Sequence, residues 1–537
     1  MMIAVLRCLV IVFILSGFAF AQSGVDVAAK RIRIVLKAEP PNLNSLRATD
    51  NISGFVLTHV IEGLTQYNER NEVVPGVAER WDLRADGATF WLRRNARWSD
   101  GKPVTAHDFV FAWRQVVNPV TASSYAFSLY PIKNAERINR GEVAVDSLGV
   151  RAVDDYRLEV TFERPCSYFL GLVAGMTYMP VREDFYRARG ERFAADAGDL
   201  LYNGPFMLSR WNHGAHLTLD KNPLYWNAPN IRLNQIDIPF ITGDISAGFN
   251  LFLEGSIALA QLNAETLGVA TERGIALKLF DTSAFYFLAF NFRDERITKS
   301  LHLRRAIQAI FSSEQVVNKV IALPGVRPGV SLFPAIVKGQ QHTFREEYPP
   351  LRITPNLQLA RRELELAKQE LGVSELPPLV LLANTSSLAW KQTNFLQQLL
   401  SASLGIDVRI DMQIFKQAIA KMNQGDFDIA LAGWGADFDD AITYGDLMAS
   451  WNDNNRGRYS NPAYDALVRT AYDSADQQVR MTAFGKMQRI IYADVPILPL
   501  YEHAEIYAMD PRLHGVGRLL FGGDLDFRYA YVEELKQ

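Results

Sequence analysis

One carboxylate in the sequence is set up to bind a cation. Asp426-Phe427-Asp428-Ile429-Ala430-Leu431-Ala432 reads as a buried strand running into Gly433-Trp434-Gly435. Asp437 is therefore expected at a strand end, on a glycine-flexible loop beside a large aromatic ring. A charge-assisted hydrogen bond made there contributes about 1.5–3 kcal/mol net. The residues alone leave a second reading open, a loop carboxylate that caps the next turn. Other chemistry-bearing groups lead less far. His213 and His216 stand three apart as metal ligands can, but Trp211-Asn212-His213-Gly214-Ala215-His216 precedes the alternating Leu217-Thr218-Leu219 and reads as a hairpin turn. Asp439-Asp440 could coordinate a hard cation, with a solvated loop as the expectation. Gly515-Val516-Gly517 lacks the third glycine and the following helix of a dinucleotide site. The sequence holds no His-Glu-x-x-His, no Gly-x-Ser-x-Gly and no cysteine cluster, so the usual marks of a hydrolase are missing. No catalytic residue, cofactor or metal site is assigned.

Several elements must position such a loop. Arg31–Lys37 partly alternates charged with apolar residues and reads as a strand that Glu39-Pro40-Pro41-Asn42 breaks. Asn51–Leu64 carries Ile52, Phe55, Val56, His59, Val60 and Gly63-Leu64 at spacings of three and four and reads as an amphipathic helix running into a short turn. Its Glu62, near the C-terminal end, opposes the helix dipole and either sits in solvent, the default expectation, or meets a cation. Asp86-Gly87 turns a β-hairpin whose second strand is Thr89–Leu92, Asp100-Gly101 marks a second tight turn, and Thr105 then caps a helix that Asn118-Pro119 ends. Ala284–Asn291 is aromatic and apolar enough for a buried strand, and Val495–Tyr501 is an extended, proline-punctuated return.

With 537 residues, 48% of them hydrophobic and 21% charged, the chain has material for about three to four packed units. Lys plus Arg is 56 against 59 for Asp plus Glu, a formal net charge of −3 without a long basic block, which excludes nucleic acid as a partner. Residues 1–21 read as a cleaved signal peptide, with Arg7, the apolar run Cys8–Phe20, and Ala19-Phe20-Ala21 before Gln22. Cys8 precedes the apolar run, so it is not the acylated cysteine of a lipoprotein. Cleavage would leave Cys166 as a single thiol, unable to form an internal disulfide.

Longer stretches carry a family likeness. Pro75-Gly76-Val77-Ala78-Glu79-Arg80-Trp81, Asp86-Gly87, Leu92-Arg93 and Trp98-Ser99-Asp100-Gly101-Lys102-Pro103-Val104-Thr105-Ala106-His107-Asp108-Phe109 open it. Thr121–Tyr125, Leu148-Gly149-Val150, Asn203-Gly204-Pro205-Phe206, Lys221–Trp226 and Gly433–Phe438 continue it in order. Together they resemble the extracellular solute-binding proteins of the peptide/nickel ABC transporter family, family 5, and most closely its oligopeptide-binding branch. The resemblance implies an α/β periplasmic-binding-protein fold of type II, cluster C, with two jaws joined by a two-strand hinge and an extra lobe. Family boundaries carried over through these motifs give a discontinuous lobe I at 31–74, 195–282 and 505–537, lobe II at 75–194 and lobe III at 283–504. The implied activity is that of a periplasmic monomer that catalyses nothing, captures peptides and hands them to an inner-membrane permease driven by a separate ATPase. By the same resemblance, Asp437 holds the peptide's α-ammonium and Gly433, Trp434 and Gly435 line the site. Phe415, standing where tryptophan is usual, and Tyr125 flank or touch the ligand, and Glu62 lies near its amino end.

Departures from the family pattern are equally informative. The cationic or imidazole side chains that receive peptide carboxyl ends in the oligopeptide binders fall here on Ile321, Ala389 and Leu431, none of which binds a carboxylate. Either the ligands are longer, capped or modified, or a cation elsewhere, such as Lys319 or Arg293, substitutes. The losses predict that amidating a ligand's carboxyl end costs little, whereas a large loss would mean that another cation has taken over. Murein peptides, nickel chelates and haem are the alternative cargoes within the family. A secreted hydrolase or a periplasmic chaperone is the alternative outside it.

Overall fold

The computed structural model describes residues 23–535; the expected signal peptide, residues 1–21, lies outside them. Three sheets organise the chain. Strand Arg31–Leu36 buries Ile32, Ile34 and Leu36 on one face, as the sequence alternation requires. It pairs in parallel with Gln235–Ile241, some 200 residues on, within a five-stranded sheet completed by Val25–Asp26, His216–Lys221 and Phe206–Asn212. The second sheet, of four antiparallel strands, holds the expected hairpin as Ala78–Arg84 and Gly87–Leu92, then Arg157–Thr161 and Val150–Asp154.

The third sheet is the one that matters for function. Leu277–Phe290 and Ile497–Met509 are the two strands expected near 284–291 and 495–501, and both are longer than the sequence suggested. They pair with each other along most of their length, with register shifts between Asp281 and Phe285 and between Tyr286 and Phe287. One end of Ile497–Met509 pairs with Leu259–Leu262, and the other end of Leu277–Phe290 pairs with Ile429–Trp434. Parallel strands Leu379–Asn384 and Val408–Gln413 extend the sheet beyond that. The two long strands thus run continuously from one half of the sheet to the other, an arrangement suited to a two-strand hinge.

Local signals hold in most places. Helix Ala106–Val117 starts after Thr105, whose backbone N–H donates to the Asp108 carboxylate at 2.8 Å, and stops at Asn118 before Pro119. His213 and His216 bracket a hairpin turn, with Gly214 at φ +71°. Among the described residues no group of three or more His, Cys, Asp or Glu side chains is placed to hold a metal ion. The helix expected over 51–64 ends at Val60. Glu62 is pulled out of it because its N–H donates to Asn203 Oδ1 and its carbonyl accepts from Asn203 Nδ2, both at 3.0 Å.

Candidate functional site

The strand expected over 426–432 starts at Ile429 and runs on through Trp434. Gly433 and Trp434 are therefore ladder residues, opposite Tyr286 and Phe285, rather than part of a flexible loop. Gly433 serves close approach: a Cβ there would meet the Tyr286 ring at 2.8 Å, and that ring is stacked on Tyr501 with centroids 4.7 Å apart. Gly435 has no such need, since its Cβ would find only Ser283 Oγ and Ala284 Cβ, at 3.7 and 4.0 Å.

Asp437 follows on a firmly held loop. The Ala436 N–H donates to Ser283 Oγ at 3.1 Å, the Tyr444 hydroxyl donates to the Ser283 carbonyl at 2.6 Å, and the Asp437 N–H donates to Thr443 Oγ1 at 3.4 Å. Asp440 is clamped by Arg480 at 2.6 and 2.8 Å, and Asp439 pairs with Lys338. The acidic pair is thus neither a cation site nor a solvated loop, because each carboxylate already has its own cation. Phe438 stacks on Tyr168 at 4.8 Å between centroids.

The Asp437 carboxylate itself is half-buried and has no cation within ion-pair distance among the described residues. Desolvation alone pushes its pKa up to about 6. Tyr125 lies close enough that burial, aided by the Asp437 charge, pushes its phenol up to about 12. The structure therefore brings Tyr125, some 300 residues earlier in the chain, up to the Gly433–Asp437 stretch.

Phe415 and Glu62 stand apart from that group. Phe415 begins helix Phe415–Gln424 and is 69% exposed, beside Ile414 at 60%; Trp390, which the sequence reading passed over, is 59% exposed. All three follow the C-terminal ends of the parallel strands Leu379–Asn384 and Val408–Gln413, the edge where open α/β sheets bind ligands. Glu62 is buried, 4% exposed, and not solvated as expected. Its two oxygens accept from the Tyr225 hydroxyl at 2.5 Å and from Trp226 Nε1 at 2.7 Å. Burial outweighs those bonds and pushes it up to about 7. Of the positions that lost a carboxylate-binding side chain, Ile321 and Ala389 are buried and Leu431 is half-buried in the strand ladder. The Ser283 and Arg480 supports of the loop had no sequence signal, because each acts across a long gap in the chain; Thr443 lies only six residues from Asp437.

Comparison with known proteins places this arrangement. The model for the bacterial extracellular solute-binding proteins, family 5, matches residues 72–456. The oligopeptide-binding protein OppA of Bacillus subtilis is 30% identical over 98% of this chain and 98% of its own length. The substrate-binding domain of an oligopeptide ABC transporter from Bacillus anthracis superposes with a TM-score of 0.81 at 30% identity, covering 95% of this chain and all of that one. Listeria monocytogenes OppA bound to peptide gives 0.79 at 27% identity, over 94% of this chain and 99% of that one. With its α/β type II binding-protein fold, the chain belongs to family 5 of the bacterial extracellular solute-binding proteins.

Proposed function

We propose that this protein is the exported, periplasmic binding component of an ABC importer, which captures peptides by their free α-amino group and delivers them to a membrane permease driven by a separate ATPase. The observation that carries the reading is Asp437, a half-buried carboxylate with no cation beside it among the described residues. An α-ammonium supplies the missing charge, and the Tyr125 phenol beside it narrows the choice to a group that fits between them. Peptide backbone laid along the sheet edge, with side chains left in pockets, explains how such a site accepts varied sequences, since main-chain hydrogen bonds carry no side-chain information. Trp434 and Phe415 act as pocket walls. The protein works as a monomer and as a carrier rather than an enzyme. Its ligand closes it only so far as the closed form is bound more tightly than the open one. Among the described residues no helix is long and apolar enough to cross a membrane.

The test is a pair of ligands on a pair of proteins. Asp437→Asn is expected to weaken free-amine peptides by about 2 kcal/mol or more, and N-acetylated versions of the same peptides hardly at all, as read by calorimetry. An equal loss for both would remove Asp437 from the anchor role.

A further inference from the structure

Next to the Asp437 loop lies a narrow cavity under Trp434, lined also by Phe287, Met422, Phe427, Leu447 and Arg456. It has room for a group about the size of a water molecule. Two donors at this cavity have unused capacity. Trp434 Nε1 is buried and makes no hydrogen bond, which leaves a desolvated N–H that costs about 1–3 kcal/mol unless a ligand satisfies it. Arg456 is half-buried. It donates from Nε to Asn423 Oδ1 and from one terminal nitrogen to Asn454 Oδ1, both at 3.1 Å, and both acceptors are neutral amides. Among the described residues no carboxylate offsets its charge, and burial alone lowers its pKa.

The surroundings reinforce that imbalance. Arg293 packs beside Arg456 with its own guanidinium spent on Asn291 Oδ1 and on the carbonyls of Arg456 and Asn423, at 3.0 to 3.2 Å. It therefore holds the Arg456 backbone in place. Lys319 donates to Gln315 in its own helix. Neither cation suggested by the sequence lines the cavity under Trp434, whereas Arg456, which the sequence reading did not single out, does. A guanidinium without an acid partner among the described residues, lining the same cavity as an orphaned indole N–H with Asn454, Asn455 and Tyr459 as the other polar side chains, is complementary to a carboxylate.

We propose that Arg456 and Trp434 Nε1 form a carboxylate-recognition subsite of the cleft, which takes a carboxylate of the bound peptide and so does the work that Ile321, Ala389 and Leu431 cannot. The carboxylate comes from the peptide's carboxyl terminus or from an Asp or Glu side chain. One oxygen enters the cavity and the other meets the guanidinium at its mouth. This rests on the peptide reading above and refines it: the ligand is held by its ammonium at Asp437 and by a carboxylate at Arg456.

A matched set of free-amine peptides tests it: one with Glu and a free carboxyl end, one amidated, one with Glu replaced by Gln, and one with both changes. On the unmodified mature protein, removing the recognised carboxylate is expected to weaken binding at least tenfold. Whichever single change does so identifies the source. In Arg456→Gln the affinity ratio between the carboxylate-bearing and neutral peptides should collapse towards one, and in Arg456→Lys most of it should persist. Asp437→Asn should lower all affinities together and keep the ratio, which separates the two sites. Equal affinities across the set on the unmodified protein, or an unchanged ratio in Arg456→Gln despite a native circular dichroism spectrum, overturns the subsite and leaves the peptide reading standing. Failure of every peptide to bind overturns both.

Discussion

Asp437 is held in a form that costs the empty protein stability. Its folded pKa of about 6 lies above the ordinary carboxylate range because burial disfavours the charge. The folded state therefore binds a proton that the unfolded chain has already released, so this group's contribution to stability falls as pH rises from about 4 to 6 and stays low above that. Asp437→Asn removes the penalty and is expected to raise the stability of the ligand-free protein at pH 8 by about 2 kcal/mol, measured by urea denaturation. Binding runs the opposite way, because an α-ammonium needs the ionised form. Free-amine peptides should bind about tenfold more weakly at pH 5 than at pH 7, and N-acetylated ones should show no such slope; calorimetry at the two pH values checks both. Glu62 behaves differently despite a similar upward shift. Its oxygens already accept from Tyr225 and Trp226, so it ties the first helix's end to the 225–226 segment.

At the scale of the element, the strand Ile429–Trp434 shows what the sequence could and could not reveal. The apolar run, the glycines and the position of Asp437 just beyond were all legible from local pattern, as were the alternating strand at 31–36 and the Thr105 helix start. The glycine's purpose was not, because flexibility and close approach leave the same mark in sequence. Only the partner strand reveals that Gly433 faces the Tyr286 ring, itself stacked on Tyr501. The same limit hid the early end of the first helix, which Asn203 causes from 141 residues away. It also hid Arg456, whose lack of an acid partner is a property of its neighbours in space. Gly433→Ala is expected to destabilise the protein by about 1–3 kcal/mol through overpacking against Tyr286. In a Tyr286→Leu background most of that cost should vanish, because the obstructing ring is gone. Equal destabilisation in both backgrounds, by chemical denaturation, would remove the ring as the cause.

Across the whole molecule, the loop that presents Asp437 is braced from a part of the chain some 270 residues earlier. Arg480 is 1% exposed and grips Asp440 with two hydrogen bonds, while the same guanidinium donates to Ser167 Oγ at 2.9 Å. Tyr168 stacks on Phe438 beside it. The segment 166–172, within the proposed lobe II, thus meets the 436–440 loop of the proposed lobe III at the point where the candidate ligand amine is held. A buried ion pair of this kind adds little net stability over an apolar pair, but removing one partner strands a charge. Arg480→Met should therefore destabilise the fold by about 3–5 kcal/mol and weaken free-amine peptides, since Asp437 shares the loop that Asp440 anchors. Arg480→Met with Asp440→Leu should recover most of the stability, because no charge is then left buried alone. The recovered protein separates two roles for the clamp. If it also regains peptide affinity, any packed contact between the two segments suffices to place Asp437. If it is stable yet binds weakly, the geometry of the guanidinium grip sets the position of the anchor, and the brace from Ser167 is part of the binding site in function though it touches no ligand.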